Sequence, residues 1–265
     1  MTANTEKLIH SMLDLSGKTA LITGASRGIG AATAELLGAA GANLILCSRN
    51  IDVKSTTARY EDRYGRKPIV AQADVGDAAA FWHILESARD RFGGIDILVN
   101  NAAMNATGDL LETEEEAWLN VLKVNLIGIS RLCNLIVPDM MAKKWGRIIN
   151  ISSNLGQFAL KGKGVYSAAK AGLIQLTRNM ALEWASYGIL VNDIAAGAIN
   201  TDMSAASEGS FVRDYSQIAR SILVGRLGDP TEIAQVVLFL ASPMSTYITG
   251  QSIVVDGGAS IWFAH

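Results

Sequence analysis

The sequence predicts an α/β fold in which a parallel, doubly wound sheet of about seven strands is covered by helices on both faces. Three observations predict it. Short runs rich in Val, Ile and Leu alternate along the chain with longer stretches of helical periodicity, the pattern of parallel strands joined by helical crossovers. Those runs are continuously apolar rather than alternating, so each strand is expected to be buried on both faces. The first run is followed at once by a glycine-rich turn that opens a helix.

In order, the strands are expected at 19–23, 43–47, 68–72, 96–99, 147–151, 190–194 and 252–255. Helices are expected at 30–40, 78–92, 115–137, 166–187 and 231–241. The stretch 200–228 breaks this rhythm, mixing Ser, Gly and Glu with Met203, Phe211, Val212, Tyr215, Ile218, Ile222 and Leu223. A long irregular segment late in a compact domain reads as a substrate lid. The 265 residues fit one domain over the whole chain, and 49% hydrophobic against 18% charged residues supply a core for it.

The same numbers exclude several classes. Lys and Arg number 23 against 25 Asp and Glu, with no block of like charge, which speaks against a nucleic-acid footprint. Cys47 and Cys133 lie in apolar runs with no CxxC spacing and are expected as buried free thiols. His10, His83 and His265 are scattered, so no metal site is expected. The segment from Met1 to Gly17 lacks an apolar run for a signal peptide and nothing later approaches a membrane span, so a cytoplasmic protein with no membrane partner is expected.

In an open sheet of this kind, ligands sit beyond the carboxyl ends of the strands. Thr23-Gly24-Ala25-Ser26-Arg27-Gly28-Ile29-Gly30 places three glycines where strand becomes helix, allowing close backbone approach to a pyrophosphate at the helix N-terminus. Gly24, Ser26, Arg27, Gly28, Ile29 and Gly30 are therefore cofactor-binding candidates. After the second strand stands Arg49, where an NAD-binding protein would carry an Asp or Glu for the ribose hydroxyls. Arg49 and Arg27 together suit a 2′-phosphate and predict NADP(H). Asp74 and Val75 after the third strand, and Asn101, Ala102 and Ala103 after the fourth, are candidates for the adenosine side, each with a plain alternative as a cap or turn.

Tyr166-Ser167-Ala168-Ala169-Lys170 puts a phenol and an ammonium one helical turn apart on the same face. A phenol with an ordinary pKa of about 10 is a poor acid-base group at neutral pH. Moving it by about three units takes about 4 kcal/mol, which a cation roughly 4 Å away supplies at an effective dielectric near 20. Ser153 closes the fifth strand and is expected at the ligand edge, with Ser152 pointing the other way. Asn125, a polar amide within an apolar helix, is expected to hold a water chain to Lys170.

These residues in this order resemble the classical short-chain dehydrogenases/reductases from about Ser16 to Gly258. The resemblance rests on TGASRGIG at 23–30, NNAA at 100–103, VNLIG at 124–128, ISS at 151–153, YSAAK at 166–170, INTDM at 199–203 and VDGG at 255–258. It implies a Rossmann-like sheet of seven strands and an Asn-Ser-Tyr-Lys tetrad of Asn125, Ser153, Tyr166 and Lys170. It further implies that Tyr166 and Lys170 also touch the cofactor, Lys170 at the nicotinamide ribose, and that Gly197, Ile199 and Thr201 line the nicotinamide side. Homotetramers, or dimers, built through the long helices after strands four and five are implied as well. A basic residue at the position of Arg49 goes with NADP(H) in the tropinone-reductase-like and 3-oxoacyl-ACP-reductase-like branches.

Two positions depart from the family pattern: Ala103 replaces a usual glycine, and Ala196 a usual proline. The methyl at 103 is tolerable at negative φ, while loss of proline is expected to loosen the backbone beside the nicotinamide. The expected activity is hydride transfer between NADP(H) and a small to medium, fairly apolar ketone or 3-oxo compound, with Tyr166 as general acid/base. A catalytically silent NADP-binding redox sensor or assembly subunit is the alternative, and the complete tetrad argues against it.

Overall fold

The computed structural model describes residues 11–201 and 215–262. Seven parallel strands form one sheet: β1 Thr19–Thr23, β2 Asn43–Ser48, β3 Ile69–Gln72, β4 Ile97–Asn100, β5 Gly146–Ile151, β6 Ile189–Ala196 and β7 Ser252–Val255. Their order is β3-β2-β1-β4-β5-β6-β7. The chain builds outward from β1 in one direction, then returns to β1 and builds the other way from β4. Where the order reverses, the crossovers leave to opposite faces and open a crevice beyond the strand ends.

Side chains of successive strand residues point to opposite faces, and here both faces are apolar. Ala20 and Ile22 of β1 join Leu44, Leu46, Ile97, Val99 and Ile149 in one core layer, covered by helices α1 (Gly28–Ala39), α2 (Val53–Tyr64) and α8 (Pro230–Ala241). Leu21, Ile45, Leu98, Ile148 and Val191 form the other. That layer is covered by α3 (Trp82–Phe92), α5 (Gly128–Lys143) and α6 (Gly164–Trp184). The continuous apolar runs have this cause. Cys47 and Cys133 are buried free thiols within the second layer.

Three helical expectations need correction. The crossover α2 escaped the periodicity reading because it is polar, with Tyr60 as its one buried residue. Its boundaries were nonetheless written in capping residues: Asp52 accepts from the Ser55 N–H at 3.0 Å, and Gly65 ends the helix at φ 65°. The helix after β4 is not one regular run to residue 137. It consists of α4 (Glu115–Leu122), a π-turn at Lys123–Ile127, and α5, which continues through Pro138 to Lys143. Burial of Met140 beyond the proline offsets the lost backbone bond. Glu115–Lys143 is also long and apolar enough to cross a membrane, which corrects the expectation that nothing approaches a span. Its residues Ile129, Leu132, Ile136 and Met140 instead pack into the core.

Within the stretch expected as a lid, Tyr215–Arg220 forms a short helix, α7, and Ile199 bridges to Gly228 beside the sheet. Met203, Phe211 and Val212 lie outside the described residues, as do His10 and His265. Among the described residues no group of three metal-ligating side chains stands together.

Candidate active site

A cavity of about 1000 Å³ opens at the carboxyl edge of the sheet. Its wall includes Gly24, Ser26, Arg27, Gly28, Ile29, Arg49, Asp74, Val75, Asn101, Ala102, Ala103, Ser153, Tyr166, Lys170, Gly197, Ile199 and Thr201. Of the site residues expected from sequence, Gly30 and Asn125 are the two that do not line it.

Gly30 serves packing. A Cβ there would lie 2.2 Å from the Gly24 carbonyl oxygen and 2.6 Å from Asn101 Nδ2. Gly24, at φ +66°, likewise leaves room for Asn101 and Ala102. Across the switch point Asn101 Nδ2 donates to the carbonyls of Thr23 and Gly24 at 3.0 and 3.1 Å. Thr23 Oγ1 accepts from the Asn101 and Ala102 amides, both at 3.0 Å. The glycine turn is thus clamped to the end of β4 before any ligand arrives. Thr23 was not singled out from sequence, since a threonine ending a strand carries no signal by itself.

At the N-terminus of α1, Gly28 stands at φ +55° and no side chain caps the helix. Its first turn therefore offers backbone N–H groups and the positive dipole end, which fit a pyrophosphate. Ser26 Oγ and Ser48 Oγ are 3.1 Å apart, and the Ala25 amide donates to the Cys47 carbonyl at 3.1 Å. These bonds bring the turn alongside the end of β2, so Arg27 and Arg49, the residues that follow each serine, flank the same exposed end of the cavity. The donor set there is cationic and bidentate, the chemistry a phosphomonoester calls for. On the far side Gly128 lets α5 approach the turn after β3, where a Cβ would meet the Val75 carbonyl oxygen at 2.3 Å. Asp74 Oδ1 accepts from the Gly76 amide at 2.8 Å, so one oxygen closes a turn.

Ser153 follows β5 by two residues in extended conformation, and its Oγ accepts from the Leu155 amide at 3.2 Å. The turn it caps presses on α6 through Gly156, where a Cβ would lie 2.8 Å from Ile174 Cδ1. That contact draws the serine toward the first turns of α6, which carry Tyr166 and Lys170. Ser152 points the other way, as expected, and donates to Asp193 Oδ2 at 2.7 Å.

Lys170 is 1% exposed, and its Nζ donates to the Ile151 carbonyl at 2.8 Å. The ammonium lies 5.6 Å from the centre of the Tyr166 ring. Burial pushes the Lys170 ammonium down to about 8, while the charge of Asp193 pulls it the other way. Asp193 was overlooked in the sequence, although an aspartate inside the apolar run Ile-Leu-Val-Asn-Asp-Ile was a visible signal. Burial raises its carboxyl, against hydroxyl bonds from Ser252 and Ser152 and the charge of Lys170.

Asn125 is fully buried within the π-turn. Its Oδ1 accepts from the Met104 amide and its Nδ2 donates to the Met104 carbonyl, each at 2.8 Å, which closes a complete pair with the backbone after β4. The pair fastens that loop to the π-turn. Ala103 has no positive φ, so its methyl is accommodated. Ala196 stays within β6 in register with Val255, and the Gly197 amide donates to the Val255 carbonyl at 2.9 Å. Strand pairing restrains the backbone here.

The chain matches the family described as Enoyl-(Acyl carrier protein) reductase over residues 24–260. It is 42% identical over 248 residues to the 3-oxoacyl-(acyl-carrier-protein) reductase FabG of Vibrio cholerae, covering 93% of this chain and 98% of that protein. Among solved structures, it is similar to a gluconate 5-dehydrogenase from Burkholderia cenocepacia in complex with NADP and tartrate. The TM-score is 0.88 and the identity 32%, with 96% of this chain and 100% of that one covered. A short-chain type dehydrogenase/reductase from Mycobacterium marinum matches with a TM-score of 0.87 at 31% identity, covering 95% and 98%.

Proposed function

The chain belongs to the short-chain dehydrogenase/reductase family, and from that premise we propose that Tyr166 is the general acid/base of an NADP(H)-dependent interconversion of a ketone or 3-oxo compound and a secondary alcohol. One observation carries the reading: Ser153, Tyr166 and Lys170 line one cavity with the uncapped start of α1 and with Arg27 and Arg49. The Burkholderia relative holds NADP, and the paired arginines give the same preference a physical basis in this chain.

When bound, NADPH supplies the hydride. The residues to hold it are the turn of Gly24, Ser26, Gly28 and Ile29 at the pyrophosphate, Arg27 and Arg49 at the 2′-phosphate, and Asp74, Val75 and Asn101 to Ala103 along the adenosine side. Tyr166, Lys170, Gly197, Ile199 and Thr201 serve the nicotinamide end. Ser153 orients the carbonyl oxygen by hydrogen bonding, and Tyr166 gives that oxygen its proton. Lys170 keeps the phenol acidic by its charge, and the π-turn around Asn125 feeds protons back. One domain performs all these tasks, with 200–228 as the substrate lid. Exposed Leu119, Ile127 and Leu182 on the long helices favour assembly into a tetramer or dimer through those faces.

The test is Tyr166→Phe. NADPH oxidation over a panel of ketones, keto esters and 3-oxoacyl thioesters should fall by about 10² to 10⁴ in kcat while NADPH binding persists. Unchanged turnover in a folded variant removes Tyr166 from the mechanism. Cofactor binding by the parent protein without turnover on any member of the panel would favour the silent-sensor alternative.

A further inference from the structure

Phe158 and Trp262 take no part in the reduction as proposed, yet both line the cavity and are 38% and 40% exposed. The backbone brings them to the end of the cavity that holds Ser153. Phe158 lies in the turn after that serine, where its amide donates to the Asn154 carbonyl at 3.2 Å. Trp262 follows the C-terminal turn Ala259–Ile261. One carboxylate oxygen joins the two turns: Asp256 Oδ2 accepts from Asn154 Nδ2 at 3.3 Å and from the Ser260 amide at 2.8 Å. Ile222 reaches the same knot, since a Cβ on Gly257 would lie 2.7 Å from its Cγ2, and it too lines the cavity.

Neither ring is used up by packing. Among the described residues no second ring and no cation stacks on Phe158 or Trp262. Large apolar side chains left more than a third exposed in a cavity forgo the gain of burial until a ligand covers them. Leucine would offer a comparable apolar surface at either position. A ring adds a face and an edge of opposite partial charge, which favour a second ring over a saturated group by about two- to tenfold for each pair.

We infer that Phe158 and Trp262 are specificity-determining residues that receive an aromatic ring of the substrate, and that the substrate is an aryl-bearing ketone. This rests on the carbonyl-reducing reading above. The carbonyl oxygen sits at Ser153 and Tyr166, and the ring sits against the two turns that Asp256 joins. The oxo carbon gains hydride from NADPH and its oxygen gains the Tyr166 proton, so that NADP⁺ and an aryl-bearing secondary alcohol leave.

The experiment compares kcat/KM for 1-phenylpropan-2-one and 1-cyclohexylpropan-2-one, which differ in the ring alone, in the parent protein, Phe158→Leu, Trp262→Leu and the double variant. The parent should prefer the phenyl ketone by about five- to a hundredfold. Each leucine should lower that ratio by about two- to tenfold, and the double variant should bring it to about one. A binding readout accompanies the rates. The Kd of 1-phenylpropan-2-one for the NADP⁺-loaded protein, followed by tryptophan emission, should rise by about two- to tenfold in Phe158→Leu. A parent ratio of one or less, ratios unchanged by the leucines, or an unchanged Kd overturns the inference and leaves carbonyl reduction standing. If the variants do not fold, the parent ratio decides. No turnover of these ketones or of the wider panel by protein that binds NADPH removes the carbonyl-reducing reading, and this inference with it.

Discussion

Replacing Lys170 with methionine keeps the bulk of a side chain that is almost fully buried and deletes its charge. The ammonium sits 5.6 Å from the centre of the Tyr166 ring. For an ammonium roughly 4–8 Å from a phenolate oxygen at an effective dielectric near 20, Coulomb's law gives about 2–4 kcal/mol in favour of the phenolate. At about 1.4 kcal/mol per decade, that is a loss of about 10² in kcat at neutral pH. The substitution also takes a donor from the Ile151 carbonyl, so a melting curve and NADPH fluorescence must accompany the loss of NADPH absorbance. The pH profile gives a second readout. Because burial lowers the ammonium to about 8, its charged form is present below that pH and disappears as pH rises through it. The parent rate should therefore decline above about pH 8, and the Met variant should show no such limb. Equal kcat in parent and variant, or an unchanged alkaline limb, would refute the electrostatic account of Tyr166.

Other perturbations test separate parts of the site. Arg49→Ala should lower the NADPH/NADH ratio of kcat/KM by about ten- to a hundredfold, the worth of a charge-assisted hydrogen bond; an unchanged ratio would refute the phosphate assignment. Gly30→Ala should cost about 3 kcal/mol or more in urea unfolding, because its methyl has nowhere to go but into the Gly24 carbonyl; a parent-like midpoint would refute the clamp. Asp193→Asn removes the charge that holds the Lys170 ammonium up, so the alkaline limb should move toward neutral pH. A shift to higher pH would reverse the assigned sign.

Much of this was legible in the residues because the signals were local. Strand positions were readable since central strands such as β1 and β4 are buried on both faces, and β1 and β7 lie where the periodicity put them. The cavity residues after each strand followed from topology alone. What stayed hidden depends on partners far away in sequence. Thr23 acquires its role from Asn101, and Asp193 from Lys170. Asn125 drew notice as a polar residue among apolar ones, but its partner, the Met104 backbone, was beyond reach of any pattern. Helix α2 was missed for a different reason: it contributes little to the core, so its caps rather than its periodicity announced it.

The bond between Ser26 and Ser48 has a practical corollary for redesign. The arginines flanking it are exposed, whereas the glycines and Asn101 beneath are interlocked. Coenzyme choice is in this sense modular: the rim is open to exchange of one charge for another, while the floor tolerates no retouching. A variant retuned toward the non-phosphorylated coenzyme should be sought at the two arginine positions, with the interlocked foundation left as it stands.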